Sequence, residues 1–242
     1  MKIGIISDLH SNLAATKAVF NKLESIGVEE ILCTGDLIGY YTNPLEIIDF
    51  VRSRTKYVIC GNHDAIAISD DLDEMQYFNS VAREALVWTR DLLATNKEYW
   101  DYIRNLPLTL KIELDGVKIL LAHGTPTEPE DWEYFYYFGV IDQEAVMNDW
   151  LETFDANLIV IGHTHVPFFY DTGEKPFRGV INPGSVGQPR DGDPRTSFAV
   201  FDTESPDSTI LHRINYPIAQ VIRGVKKAGL PDILGRRLLV GR

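Results

Sequence analysis

Short runs of aliphatic and β-branched residues alternate with helix-period patterns through the first quarter of the chain. The runs at 2–7, 30–34 and 57–60 predict strands, being dominated by apolar residues and bounded by polar turns. Between the first two, Leu13, Ala14, Ala18, Val19, Phe20 and Leu23 recur at near-helical spacing, and Gly27 supplies a stop. Residues 44–53 repeat the pattern from Pro44. Strand and helix in that order predict successive βαβ units in a parallel sheet. From 70 to 106 the pattern turns helical, with Phe78, Val81, Ala82, Ala85, Leu86, Thr89, Leu92 and Leu93 on one face and Pro107 ending it. Strand signals resume at 108–114 and 117–122 across the hairpin dipeptide Asp115-Gly116. A helix near 142–154 and a strand at 157–161 follow, then strand-like runs near Phe168 and Val180 and at 197–201 and 209–214. In the last 26 residues Val221, Val225 and Ala228 keep a helical stripe, and Gly229 followed by Pro231 predicts one helix ending and another beginning.

A chain of 242 residues exceeds a typical domain of about 150 without reaching two, which predicts one domain carrying an insertion. With 45% hydrophobic and 24% charged residues it has the composition of a globular protein. No apolar run approaches the ~18 residues of a membrane span, and the first strand begins too early to leave room for a signal peptide, so a soluble cytoplasmic protein is expected. The charge balance of 23 Lys and Arg against 35 Asp and Glu gives −12, a field that disfavours nucleic acid. A phosphorylated substrate would need a local reversal of sign, and a bound metal ion is the usual source of one. The last 26 residues carry +5, against −17 for the rest, which reads as solvated faces of packed helices or as a dock for an acidic partner. Cys33 and Cys60 lie within apolar runs and read as small hydrophobes, without a disulfide.

Five of the six histidines, His10, His63, His123, His163 and His165, fall in polar turns at the ends of predicted strands. Only His212 lies inside a strand pattern. Ligands bind beyond the carboxyl ends of parallel strands, so residues there converge although far apart in sequence. Asp8, Asp36 and Asn62 are spaced by one βα repeat and should line one edge. Two carboxylates, one amide oxygen and several imidazoles, with no thiolate, suit Mn, Fe, Zn, Co or Ni. Seven candidate ligands, Asp8, His10, Asp36, Asn62, His123, His163 and His165, fit two ions sharing a carboxylate better than one structural zinc.

In order along the chain, Asp8 and His10, Gly35-Asp36, Gly61-Asn62-His63-Asp64, His123 and Gly162-His163 with His165 resemble the complete signature of the calcineurin-like metallophosphoesterases. Asn182-Pro183-Gly184-Ser185 and the turn from Gln188 to Gly192 resemble the small bacterial and archaeal branch of phosphodiesterases and diadenosine-tetraphosphatase relatives. The resemblance implies a four-layer α/β/β/α sandwich of two mixed sheets, with a helical cap inserted at about 70–107 and a candidate second cap at 125–154. It implies that Asp8, His10, Asp36 and His165 hold one divalent ion and Asp36, Asn62, His123 and His163 the other, Asp36 bridging. Manganese is the first choice, with Fe, Zn, Ni, Co or Mg as alternatives. Two such ions about 3.5 to 4 Å apart would acidify a shared water to hydroxide for attack at phosphorus.

The same resemblance points His63 at the substrate, where an imidazole with a pKa of about 6.5 suits protonation of the leaving oxygen. Asp64 is a candidate to orient it, or a structural residue of the turn. Asn62 and Arg190 are candidate substrate contacts, and Arg195 a further one, since a guanidinium grips phosphate bidentately. Asn12 reads as a helix cap. The aromatic run at 132–138 reads as a platform for a nucleobase, as packing or as a dimer contact. The expected activity is hydrolysis of phosphodiester or phosphoanhydride bonds in a small, phosphorylated substrate such as a nucleotide; a homo-oligomer and a phosphomonoesterase or protein phosphatase stay open. Protein phosphatases of this type carry an arginine soon after Gly-Asp and a glutamate at the position of Asp64, and both are missing here. A non-catalytic interaction module, as in the retromer subunit of similar fold, lacks the histidine after Asn that is kept here as His63.

Overall fold

The computed structural model describes residues 1–137 and 142–242. Two mixed sheets of five strands each face one another. The first has the order β10-β9-β1-β2-β3, from β1 (Lys2–Ile6), β2 (Glu30–Cys33), β3 (Tyr57–Val58), β9 (Thr196–Asp202) and β10 (Ile210–Ile214). β1, β2 and β3 are parallel, as the βαβ pattern requires, and β9 runs antiparallel to β1. The second sheet has the order β4-β5-β6-β8-β7, from β4 (Thr109–Leu114), β5 (Val117–Ala122), β6 (Leu158–Val160), β7 (Phe168–Asp171) and β8 (Gly179–Asn182). β5, β6 and β8 are its parallel centre, with β4 and β7 antiparallel at the edges.

Side-chain alternation along the central strands sorts the core into layers. Ile3, Ile5, Leu121, Leu158, Val160, Ile181 and Phe201 meet between the sheets. Ile6, Cys33, Val58 and Phe198 face the other way, onto α1 (Leu13–Ile26), α2 (Pro44–Arg52), α7 (Ile218–Ala228) and α8 (Asp232–Leu238). Leu120, Ile159 and Val180 cover the outer face of the second sheet against Met147, Trp150 and Leu151 of α6 (Gln143–Thr153). Being buried on both faces, the central strands read as nearly continuous apolar runs. The helix, sheet, sheet, helix order is the α/β sandwich expected of the family resemblance. Both cysteines are buried free thiols.

The helical pattern at 70–106 resolves into pieces. A 3-10 turn (Leu72–Tyr77) precedes α4 (Ser80–Ala94), whose start is capped by the Asn79 side chain accepting from Ala82 N at 3.0 Å. α5 (Lys97–Arg104) follows after a break at Thr95 and Asn96. Both pack on α3 (Asn62–Ile68). The 125–154 segment does not form one cap: residues 125–137 run over the sheet edge, 138–141 lie outside the described residues, and α6 belongs to the outer helical layer. No helix among the described residues is long and apolar enough to cross a membrane.

The inter-sheet layer is filled by large side chains with no access to solvent, Phe201 among them. Phe201→Ala is therefore expected to cost about 3–5 kcal/mol. Urea denaturation should show a lowered midpoint with an unchanged slope.

Candidate metal centre

The loops that leave β1, β2, β3, β5 and β6 meet at one edge of the sandwich. They are knitted to each other by backbone hydrogen bonds: Asp8 N donates to Gly35 O at 3.0 Å, His10 N to Asp36 O at 2.9 Å, and Gly162 N to His123 O at 2.8 Å. Asp8, His10, Asp36, His163 and His165 all take positive φ, between 48° and 66°. Non-glycine residues in that region cost of order 1–3 kcal/mol each and concentrate at functional sites. One glycine of the edge is required by close approach: a Cβ on Gly61 would fall 2.2 Å from Asp36 Oδ1.

Each carboxylate is used twice. Asp36 Oδ1 accepts from His63 N at 2.8 Å, while Oδ2 is buried without a hydrogen bond, 3.4 Å from His123 Nε2 and 3.5 Å from His10 Nε2. Asp8 Oδ2 accepts from His163 N at 3.1 Å, while Oδ1 faces His165 Nε2 at 3.2 Å without forming a hydrogen bond. Three imidazoles are turned by carbonyls behind them. Nδ1 of His123 meets Thr34 O at 2.6 Å, that of His165 meets Gln188 O at 2.5 Å, and that of His10 meets Ile38 O at 3.3 Å. In a neutral ring a proton on Nδ1 leaves the Nε2 lone pair directed inward. His10 Nε2 and His165 Nε2 then face one another at 3.1 Å, and His163 Nε2 is buried without a partner.

The inward atoms form two groups, Asp8, His10, Asp36 and His165, and Asp36, His123 and His163, with atoms within 4.8 Å of one another in each. Asp36 belongs to both. Asn62 Oδ1 lies 3.1 Å from His123 Nε2, beside the second group. Orphaned, buried acceptors converging on one spot are costly unless a cation occupies it, and a set of O and N donors without thiolate fits divalent ions.

A family model, the calcineurin-like phosphoesterase superfamily domain, matches residues 1–206. The chain belongs to the calcineurin-like phosphoesterase superfamily. A metallophosphoesterase of Sphaerobacter thermophilus has 35% identity and a TM-score of 0.81, over 100% of each chain. A hypothetical protein of Pyrococcus horikoshii OT3 shares the fold at 21% identity with a TM-score of 0.85, covering 100% of this chain and 98% of that one. An uncharacterized protein of Methanocaldococcus jannaschii is 34% identical over 99% of this chain and 98% of its own. Family and ligand groups together make the chain a metal-dependent phosphoesterase, hence a hydrolase.

Burial tunes the phosphoesterase centre for metal. It pushes His10 well below its ordinary value, lowers His165, and takes His163 down to about 3, so these rings are neutral and free to ligate at pH 7. For Asp36 and Asp8, burial opposes ionisation, but the charges of His123 and His165 respectively outweigh it and hold both carboxyls below the usual range. His123 is the exception among the imidazoles: burial disfavours its cation, yet Asp36 and then Asp8 raise it to about 9.

The other candidates divide. His63 belongs to neither group; its ring lies 4.7 Å from that of His10 and 5.0 Å from that of Phe78, on a cavity wall. Asp64 takes the structural alternative. Its carboxylate accepts from the backbone of Gly61, Leu37 and Ile38 at 3.0, 3.2 and 3.1 Å, tying the β2 loop to α3, and makes no bond to the His63 ring, whose Nδ1 has no partner. Burial and then the Asp36 charge push Asp64 up to about 7 in spite of those donors. Arg190 lines the cavity, its Nη2 donating to the Tyr40 hydroxyl at 3.0 Å and to Gln188 Oε1 at 3.2 Å. Arg195 does not reach it: the side chain is exposed and pairs with Asp193 at 2.6 Å. Asn12 caps α1 by accepting from Ala15 N at 3.1 Å.

Alternate residues of the aromatic run diverge. Trp132 and Tyr134 face the site, Tyr134 stacked on His163 at 3.8 Å, while Phe135 packs on Trp150 at 4.6 Å and Tyr137 on Phe168 at 5.1 Å. Phe138 lies outside the described residues. Three supports had no signal in local spacing. Tyr40 sits edge-on to His10 at 4.6 Å; Gly39, at φ +106°, backs the His63 ring so closely that a Cβ would lie 2.6 Å from Nδ1; Arg237, from the basic C-terminal segment, lines the cavity. Asn182 and Ser185, known from sequence only as part of a resembling stretch, are braces, Asn182 donating to Gly162 O at 2.8 Å and Ser185 to Asp8 O at 2.8 Å.

The raised His123 fixes the sign of a pH dependence. Its folded value of about 9 exceeds its ordinary 6.5, so the stabilisation is complete below pH 6.5 and lost as pH rises through about 9. Asp64 acts in the same sense, its contribution being gone above about 7. Thermal melting of the metal-free protein in chelator should decline from pH 6.5 to 9, and His123→Gln should flatten the upper part of that decline. A rise over this range would contradict the assignment.

Proposed function

We propose that this phosphoesterase hydrolyses phosphodiester or phosphoanhydride bonds at a dinuclear centre. One observation carries the reading: two buried ligand groups share the Asp36 carboxylate and adjoin, through His163, a cavity of about 990 Å³ also lined by Asn62 and His63. Asp8, His10, Asp36 and His165 would hold one ion, and Asp36, Asn62, His123 and His163 the other. When bound, the pair supplies charge against the phosphoryl oxygens and lowers the pKa of a water nucleophile. Arg190 contributes a fixed positive charge on the wall, oriented by Tyr40 and Gln188.

His63 is the proton donor to the leaving oxygen. Burial brings the ring down to about 4 in the free protein, lower than its unperturbed range, so it is neutral before substrate arrives. A phosphate oxyanion against the ring favours the imidazolium, and developing charge on the leaving oxygen then takes the proton. Gly39 keeps the ring in place from behind. A phosphorylated small molecule is the substrate, and the −12 field of the chain keeps nucleic acid polymers away.

Metal-stripped protein should hydrolyse neither a chromogenic phosphodiester nor its monoester until Mn, or one of Fe, Zn, Ni, Co and Mg, is restored, and then should favour the diester. Preference for the monoester would move the function to a phosphatase. His63→Ala should lower kcat by about 10²- to 10⁴-fold with two ions still bound per chain. Gly39→Ala should lower kcat in the same sense by displacing that ring, again without metal loss in elemental analysis.

A further inference from the structure

Of the six basic residues in the last 26, Arg223, Lys226, Lys227, Arg236 and Arg242 are exposed. Arg237 is half-buried and lines the cavity whose wall also includes Asn62, His63 and His163. It stands on α8, which is anchored by the buried Leu234 and Leu238 and by the Tyr41 hydroxyl donating to Leu234 O at 3.3 Å. Arg237 lies beyond residues 1–206, the part of the chain that the family model matches.

Arg237, Arg190 and Tyr40 line one cavity. The Tyr40 hydroxyl accepts from Arg190 at 3.0 Å, and the Arg190 guanidinium lies 5.8 Å from the ring centroid. The Tyr40 ring is in turn 4.6 Å from the rings of both His10 and His63. Among the described residues no carboxylate lies within 4.0 Å of either guanidinium, although the chain carries 35 acids, and Arg190 Nε is buried with no partner. Arg104, a third arginine of the cavity, has Asp70 at 3.7 Å. Two half-buried cations without counter-ions beside a cleft are costly unless a ligand brings the opposite charge.

We propose that Arg237 and Arg190 form a second anion subsite on the Tyr40 wall, which takes a phosphate group of the substrate beyond the one being cleaved. The inference rests on the phosphoesterase reading above and narrows its substrate to a compound with at least two phosphates. The second phosphate is joined to the scissile one by an anhydride bond, or it is a monoester on another oxygen of the same molecule. A cavity of about 990 Å³ accommodates such a molecule.

The test uses the manganese-loaded full chain and three adenosine inhibitors of diester hydrolysis: the monophosphate, the methylene-bridged diphosphate, and a bisphosphate whose phosphates sit on separate ribose oxygens. The anhydride form predicts that the bridged diphosphate binds at least about tenfold tighter than the monophosphate; the separate-monoester form predicts the same of the bisphosphate. Arg237→Gln should erase that ratio, chiefly through the inhibition constant of the doubly phosphorylated compound, and Arg237→Lys should restore part of it. Melting curves verify that both variants are folded. Equal binding of all three compounds by the wild type, or a ratio that survives Arg237→Gln, overturns the subsite while leaving the phosphoesterase reading intact. Absence of any hydrolysis, with calorimetry still showing tighter binding that depends on Arg237, would overturn the reading of the reaction and leave the subsite standing.

Discussion

The structure depends on the double use of two buried carboxylates. Asp36 and Asp8 each give one oxygen to a backbone N–H of a distant loop, His63 and His163 respectively, and keep the other free of hydrogen bonds among the imidazoles. The first oxygen makes the edge of the sandwich a single object, because it ties the loops of the first sheet to α3 and to the loop after β6. The second creates the demand for cations, since a desolvated carboxylate without a full complement of partners is strongly disfavoured. Loop order and metal affinity therefore come from the same two groups.

This arrangement is held against resistance. Five ligand candidates sit in the left-handed region, three imidazoles are turned by carbonyls of Thr34, Ile38 and Gln188, and Gly61 admits no side chain. The opposing support is large: two five-stranded sheets, a shared apolar layer, and braces from Asp64, Asn182 and Ser185 that have no free atoms to offer a ligand at the centre. A rigid scaffold of this kind lets neutral His10, His163 and His165 present lone pairs without rearrangement, which limits the cost of binding.

Around the centre the walls come from several separate parts of the chain. Phe78, in the helical insertion, abuts His63; Trp132 and Tyr134 cover His123 and His163; Arg237 arrives from the last helix. One fold hosts different activities through the side chains that surround its site, so fold alone does not name the substrate.

Sequence by itself determined the strands, their parallel start and the convergence of Asp8, His10, Asp36, His123, His163 and His165 at one edge. Period-two and period-3.6 burial, one βα repeat between Asp8, Asp36 and Asn62, and five of the six histidines at strand ends are local or regularly spaced signals. Free thiols at Cys33 and Cys60 and the α1 cap by Asn12 were legible for the same reason. Tertiary structure alone decided which neighbours a polar residue meets. Asp64 is one residue from His63 yet serves backbone donors 26 and 27 residues away, Arg195 turns outward to Asp193, and Arg237 joins a wall beside Tyr40, nearly 200 positions earlier. Spacing along a chain prescribes which face of an element a side chain occupies; contacts between elements depend on how the sheets and helices pack, and no local period encodes that.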